Sequence, residues 1–403
     1  MFELEVLVNR GVGEVDWDKE KNNRINPNLA DSTHIKSIKK LKHYSCELKV
    51  QIKHPRLEWE DYWSERWQWA PTGAFHSQYD EDTVFQNPER IGRNKLDSFC
   101  RMPKYKPEHF LMRKPQIRAW SSTKYEWTKQ RAIYGVDATN FIIAGFAMGD
   151  CERVLSRIFP IGESATDTVV RRTVKEILRN GVPLCFDFED FNSQHSLENM
   201  QAVLVAYKVV FQDSWSSAQL KAIDWTIASL NDVSVLGAEG EWYNTHGTLL
   251  SGWRLTTFIN TVLNYVYVQL MGEDKLATTH NGDDVLAAVT NFKQVKDLSK
   301  QAVIHNVRFQ KQKCFLGAVA EFLRIDHRND QSGQYLARAV STIIHGPTET
   351  AVPTGVLPLY KATLTRIGEA KSRGGDSSVL DRLEKEIVKY MAEKWHTNEQ
   401  DIT

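Results

Sequence analysis

Apolar and polar positions alternate with two periods along this chain, and the changes between them outline its elements. Leu4, Val6 and Val8 alternate as in a short strand. Trp59, Trp63 and Trp67 recur at helical spacing within 57–69, beside Tyr62 and Trp69, and read as core rather than as a base-stacking platform. Residues 141–179 are largely helical, broken at Gly145, Gly149 and Gly162. The amphipathic helix from Arg171 to Arg179 stops at Asn180-Gly181. A strand follows from Val182 through Phe188. Leu184, Phe186 and Phe188 share its buried face, while Cys185 and Asp187 share the other, which puts Asp187 on an open sheet face.

Helical patterns then cover 197–211 and 217–230, with a strand at 233–236. A flexible loop, 246–252, feeds a long helix over 253–271, on which Thr256 and Asn260 are four apart and share a face. Residues 278–289 read as two short strands joined at Asn281-Gly282, a pair that accepts positive φ. The pattern continues with a helix at 295–305, a strand at 321–325, a helix or turn opening at Tyr335, a linker at 371–377 and an amphipathic helix at 378–395. Val379, Leu380, Leu383, Ile387 and Met391 form the apolar side of that last helix.

Composition narrows the classes. The chain has 403 residues, 41% hydrophobic and 25% charged, enough for two or three packed units. Lys plus Arg and Asp plus Glu both number 51, so any basic surface comes from local segregation. The five cysteines are odd in number and none has metal-ligand spacing, so they read as reduced thiols in a cytosolic compartment. No apolar run is long enough to span a bilayer, and Met1-Phe2-Glu3 does not open a secretory signal.

Local charge is uneven. Residues 101–131 hold nine Lys and Arg against Glu108 and Glu126, interleaved with Tyr105, Phe110, Trp120, Tyr125 and Trp127. That pattern suits a groove that holds phosphates and stacks bases. With Lys129 and Arg131 on one strand face, the two cations can clamp a triphosphate. Asp283 and Asp284 sit where the 278–289 hairpin turns, and adjacent carboxylates there call for a divalent cation.

A basic Lys-x-Arg, a strand-end Asp, Ser-Gly-x3-Thr-x3-Asn and a hairpin Gly-Asp-Asp stand in the motif order of viral RNA-dependent RNA polymerases. Ser251, Gly252, Thr256 and Asn260 match that family's second palm motif position by position. The wording of 187–196 (DFEDFNSQHS), 247–260 (GTLLSGWRLTTFIN), 280–284 (HNGDD), 321–324 (EFLR) and 335–340 (YLARAV) resembles the polymerases of totiviruses, double-stranded RNA viruses of fungi and protozoa. The resemblance covers roughly 124–346.

It implies an α+β right-hand polymerase fold with an antiparallel palm sheet, fingers and thumb. The fingers would be 1–180 with an insertion at 213–245, the palm 181–212 and 246–332, and the thumb 333–403. It also implies RNA synthesis from nucleoside triphosphates on an RNA template, with Asp187, Asp283 and Asp284 as ligands of two Mg²⁺ or Mn²⁺ ions. Lys129 and Arg131 would grip the triphosphate, and Lys124 and Arg254 the RNA. Ser251, Gly252, Thr256 and Asn260 would sense the ribose 2′-hydroxyl with Asn192, which stands where many relatives carry Asp. Either Lys311 or Lys313 would protonate the leaving pyrophosphate.

Family precedent adds a capsid protein as partner and the virion interior, within the host cytoplasm, as location. The flanks are short, 186 residues before Asp187, so a trimmed, partial or compact enzyme is expected. Two other readings stay open: a reverse transcriptase, and a non-catalytic RNA-binding or packaging module.

Overall fold

The computed structural model describes residues 13–31, 54, 56–89, 93–125, 130–272, 276–317, 319–328, 336–345 and 355–402. The strand expected around Leu4 to Val8, and Lys129, Trp127 and Tyr335, lie outside the described residues. The protein is α+β and divides into two compact units. One is built from 16–122 and 132–318, the other from 1–15, 123–131 and 319–403.

Two four-stranded sheets belong to the first unit, apart from 123–125 and 130–131, the ends of two strands, which fall in the other. In one, β1 (Ile117–Tyr125) lies between β2 (Gln130–Val136) and β4 (Val233–Leu236), and β5 (Trp242–Asn244) flanks β4. The second sheet is antiparallel, in the order β6-β7-β3-β8: Ala277–Asn281, Asp284–Val289, Val182–Phe186 and Phe315–Leu316. β3 is central, registered on β7 from Val182↔Val289 to Phe186↔Val285, and on β8 at Leu184↔Leu316 and Cys185↔Phe315. The expected 278–289 hairpin is therefore present as β6–β7.

Helices surround these sheets: α1 (Trp17–Ile25), α2 (Trp59–Ser64), α3 (Ala138–Met148), α4 (Asp167–Ile177), α5 (Leu197–Phe211), α6 (Ser217–Ser229), α7 (Thr256–Met271) and α8 (Phe292–Ile304). α3 is buried along its whole length: 141–148 carries no polar side chain, and Thr139 and Asn140 at its head are hydrogen-bonded to Arg113 and Ser229. The tryptophan stripe is core, as its spacing implied. Trp59 and Trp63 are buried and stacked at 5.7 Å, and their ring N–H groups donate to the carbonyls of Tyr105 and Pro103. Each such side chain contributes roughly 2–3 kcal/mol by burial. Trp67 is instead 63% exposed.

Four boundaries differ from the pattern-based reading. β3 stops at Phe186, because Phe188 makes only an isolated bridge to Phe309. Cys185 is buried, so the face it shares with Asp187 is open only at its end. The long helix begins at Thr256, not Trp253, because the chain first turns at 251–254 and Thr256 Oγ1 caps the carbonyls of Leu250 and Trp253. The 321–325 stretch is two two-residue strands, β9 (Glu321–Phe322) and β10 (Ile325–Asp326), turned by Leu323 and Arg324 at positive φ.

The second unit is largely helical where described, with α9 (Leu336–His345), α10 (Val356–Ser372) and α11 (Ser377–Trp395). Ala339, Ile367, Ala370 and Leu380 form one small core, and Tyr360, Val388, Met391, Ala392 and Ile402 another. The expected 371–377 linker shrinks to four residues, since α10 runs to Ser372 and Asp376 N-caps α11 through the N–H groups of Ser378 and Val379. Among the described residues, no helix is long and apolar enough to cross a membrane.

Candidate active site

The antiparallel sheet carries the acidic residues. The β3–β7 register ends at Phe186↔Val285, and Asp187 and Asp284 are the next residues along the two chains. Asp284 opens β7 opposite Asn281, and Asp283 lies in the turn; both are exposed. Gly282 has φ +61°, the conformation that lets the chain reverse here. On its other side Asp187 is held through its backbone, its carbonyl accepting from Gln310 N at 2.8 Å. The buried Gln194 ties this stretch together, donating to the Glu189 and Arg308 carbonyls and accepting from Arg308 N.

Lys313 Nζ donates to Asp187 Oδ2 at 2.6 Å. Lys311 shares the same 3₁₀ turn, Lys311–Lys313; of these two lysines, left open by the sequence, Lys313 is the one that reaches the carboxylate. The oxygens of Asp187, Asp283 and Asp284 do not all lie within 4.8 Å of one another. The cluster that does, among the described residues, is Glu81, Asp82 and His109, where the Arg113 guanidinium sits. The aspartates nevertheless fit a hard cation: all their ligand atoms are oxygens, and Asp187 already holds an ammonium group.

The carboxylate-bearing turn is secured from behind by α7. Gly282 N donates to Thr261 Oγ1 at 2.8 Å, and Asn264 Nδ2 donates to the carbonyls of Gly282 and Asp284, each at 3.1 Å. Asn264 Oδ1 is left to accept from His280 Nδ1 at 2.9 Å, and His280 Nε2 accepts from Thr278 Oγ1 at 2.8 Å. Burial keeps His280 neutral, and in the neutral ring the Asn264 contact places the proton on Nδ1.

A second polar group joins the turn after β3 to the same helix. Asp190 takes a left-handed conformation, φ 38°, and the chain enters a 3₁₀ turn, Phe191–Gln194. There Asn192 Oδ1 accepts from Asn260 Nδ2 at 2.8 Å, and Asn260 Oδ1 meets His195 Nε2 at 2.9 Å. Asn192 and Asn260, expected to act together, do meet. Thr261, Asn264, His280 and His195 were missed. Their signal was present: Asn260, Thr261 and Asn264 are polar positions at helical spacing on an otherwise apolar helix.

Burial holds His195 down to about 4 and His280 down to about 3. Both stay neutral in the fold while the unfolded chain takes up protons below about pH 6.5. Their contribution is fully present above that value and is lost as pH falls toward about 4 and about 3 respectively. Near pH 5, unfolding should therefore bind close to two protons through these rings, a slope of roughly 2–3 kcal/mol per pH unit. Denaturant melts between pH 7 and 5 measure it, and a slope below half that value would show that the two rings protonate in the folded state.

The 246–252 loop closes over this turn. Thr248 N and Leu249 N donate to the carbonyls of His195 and Asn192, both at 2.8 Å. Thr248 has φ 62° and is steadied by the buried Arg24, whose Nη1 donates to its hydroxyl and whose guanidinium lies 4.1 Å from the Tyr134 ring centre. Ser251 Oγ is buried without a hydrogen-bond partner. Gly252 bridges Gly135, and a Cβ on it would lie 1.9 Å from the Tyr134 carbonyl oxygen. Because that neighbour is backbone, Gly252→Ala should cost about 3 kcal/mol or more and dislodge Ser251. Unfolding curves test this, and a loss under 1 kcal/mol would show that the strand yields.

The basic residues separate. Arg254 donates to the Gly149 carbonyl at 3.2 Å and lies 3.8 Å from Glu152. Arg113, Lys114 and Arg118 each meet an acidic side chain. Arg113 is buried in a bidentate pair with Asp82, while Lys114 and Arg118 bind Asp232, because each lies beside an acidic residue of the same unit. Lys124 and Arg131 are exposed in the smaller unit.

Asp187 at the end of β3, an Asp-Asp turn, and a helix with the Ser-Gly-x3-Thr-x3-Asn motif at its head thus come together within one unit. The family model "Viral RNA-directed RNA-polymerase" matches residues 1–348, and the chain belongs to that family. It is 38% identical to the "Probable RNA-directed RNA polymerase" of Saccharomyces cerevisiae virus L-A, over 96% of this chain and 27% of that protein. It is 37% identical to the protein so described from Saccharomyces cerevisiae virus L-BC, over 100% of this chain and 27% of that one. A third, from Leishmania RNA virus 1 - 1, is 28% identical over 86% of the chain and 40% of its own length. The chain therefore spans about a quarter of the first two relatives.

Proposed function

We propose that this chain carries out RNA-directed RNA synthesis for a double-stranded RNA virus, joining nucleoside triphosphates on an RNA template for replication and transcription. One observation carries the reading: Asp187 follows the last paired residue of β3, Asp284 opens the neighbouring antiparallel strand β7, and Asp283 lies in the turn between β6 and β7. In this reading the sheet β6-β7-β3-β8 is the palm of a right-hand polymerase, and the flanking segments form fingers and thumb.

Asp187, Asp283 and Asp284 would hold two Mg²⁺ or Mn²⁺ ions. Such ions supply activation of the attacking 3′-hydroxyl and charge neutralisation at the pyrophosphate. Lys313 serves as proton donor to that leaving group, supported by its contact with Asp187; Lys311 is its neighbouring alternative. Asn192 and Asn260 address the ribose 2′-hydroxyl, with Ser251, Gly252 and Thr256 shaping that wall. Lys129 and Arg131 grip the triphosphate, and Lys124 and Arg254 contact RNA. A capsid protein is the proposed partner and the virion interior the proposed location.

The alternative is an RNA-binding module without catalysis. Incorporation of labelled nucleotide on single-stranded RNA, with Mg²⁺ or Mn²⁺ and with a chelator control, separates the two. Metal-dependent synthesis supports the polymerase. RNA binding without synthesis supports the module.

A further inference from the structure

The contact between Asn192 and Asn260 is the outer end of a longer hydrogen-bonded series. Asn260 Nδ2 donates to Asn192 Oδ1 at 2.8 Å, so Asn260 Oδ1 must accept, and His195 Nε2 donates to it at 2.9 Å. A neutral ring protonated at Nε2 has a lone pair at Nδ1. Tyr267 Oη lies 3.2 Å from that nitrogen and donates to it. The same hydroxyl oxygen accepts from Asn199 Nδ2 at 3.1 Å. Every donor along Asn199, Tyr267, His195, Asn260 and Asn192 thus points the same way.

The inner members are sealed from water: His195 is 0% exposed and Asn199, Tyr267 and Asn260 are all buried. Phe191 packs edge-on against the imidazole at 4.4 Å and holds its plane. A buried donor facing a donor is costly, so one member cannot reverse unless all do. The direction decides what Asn192 has left. With its Oδ1 occupied by Asn260, it offers the Nδ2 hydrogens, which suit the oxygen of a hydroxyl and find nothing on a ring that lacks one.

We propose that Asn199, Tyr267 and His195 form a positioning relay that sets the amide orientation of Asn260 and Asn192, and thereby the preference for ribose over deoxyribose. None of the three needs to touch the nucleotide. The proposal rests on the polymerase reading given above.

The test measures single-nucleotide addition by the full chain, comparing ATP with 2′-deoxy-ATP as a ratio of kcat/KM. Tyr267→Phe removes the hydroxyl that directs the imidazole, and the ratio should fall by about tenfold or more, mainly through a raised KM for ATP. Glutamine carries an amide nitrogen at the reach of Nε2, whereas asparagine reaches only as far as Nδ1. His195→Gln should therefore keep most of the discrimination and His195→Asn should lose it. A merely structural role would make these two equally damaging. Unchanged discrimination in Tyr267→Phe, or equal loss in the two His195 variants, overturns the relay. If Tyr267→Phe fails to fold, the His195 pair decides. An unaltered chain that makes no RNA fails the polymerase reading itself and takes the relay with it, whereas one that synthesises but uses both nucleotides alike overturns the relay alone.

Discussion

Asp283→Ala is expected to reduce RNA synthesis by about 10³–10⁴-fold, as loss of a metal-holding carboxylate worth several kcal/mol of charge stabilisation implies. The fold should hardly notice. Asp283 is exposed in the turn, while the turn itself is fixed by contacts that do not involve its carboxylate: Thr261 on Gly282 N, Asn264 on the carbonyls of Gly282 and Asp284. The variant should therefore melt with the unaltered chain and bind RNA within about threefold of it, since the basic residues lie on other elements. Incorporation assays beside circular dichroism and gel shift make the comparison. Synthesis within tenfold of the unaltered chain would remove the β6–β7 turn from the metal site.

Arg113→Ala is expected to destabilise the larger unit by about 3–5 kcal/mol, the usual consequence of leaving one member of a buried ion pair alone. Asp82 is 1% exposed and receives both Arg113 terminal nitrogens, at 2.8 and 2.9 Å, together with the Ser77 hydroxyl at 2.7 Å. Arg113 also donates to Thr139 Oγ1 at 2.7 Å, which joins the segment before β1 to α3. Removing the guanidinium leaves a carboxylate enclosed with a single neutral donor. The double variant Arg113→Met/Asp82→Leu should recover much of the loss, because the enclosed charge disappears with its partner. Chemical denaturation measures both, and a loss below 1 kcal/mol for the single variant would show that water reaches Asp82.

Much of the site was legible because its motifs are local. The β6–β7 turn follows from Asn281-Gly282 between apolar runs, and the meeting of Asn192 with Asn260 was expected from the motifs that hold them. What stayed hidden depends on the third dimension. Nothing in the alternation of 182–188 tells that Phe188 leaves the ladder, because Phe309, its bridge partner, is more than a hundred positions away. A basic residue in a run looks the same whether it meets phosphate or Asp82, and only folding supplied that partner to Arg113. Thr261, Asn264 and Gln269 looked like ordinary polar positions on α7 until the hairpin that they hold was packed against them.

The strand that carries Asp187 and the lysine that neutralises it are tethered very unequally. β3 is bonded on both flanks, with residue pairs from Val182 to Phe186 on β7 and further pairs at Leu184 and Cys185 on β8, so its amides can exchange with solvent only when the sheet as a whole opens. Lys313 hangs from a single 3₁₀ turn, followed by an edge strand only two residues long. Fraying that edge frees the lysine and leaves the β3–β7 ladder in place. Such a local opening, far smaller than global unfolding, would uncover the Asp187 carboxylate and release the Gln310 bond to its carbonyl while β3 itself stays paired to β7.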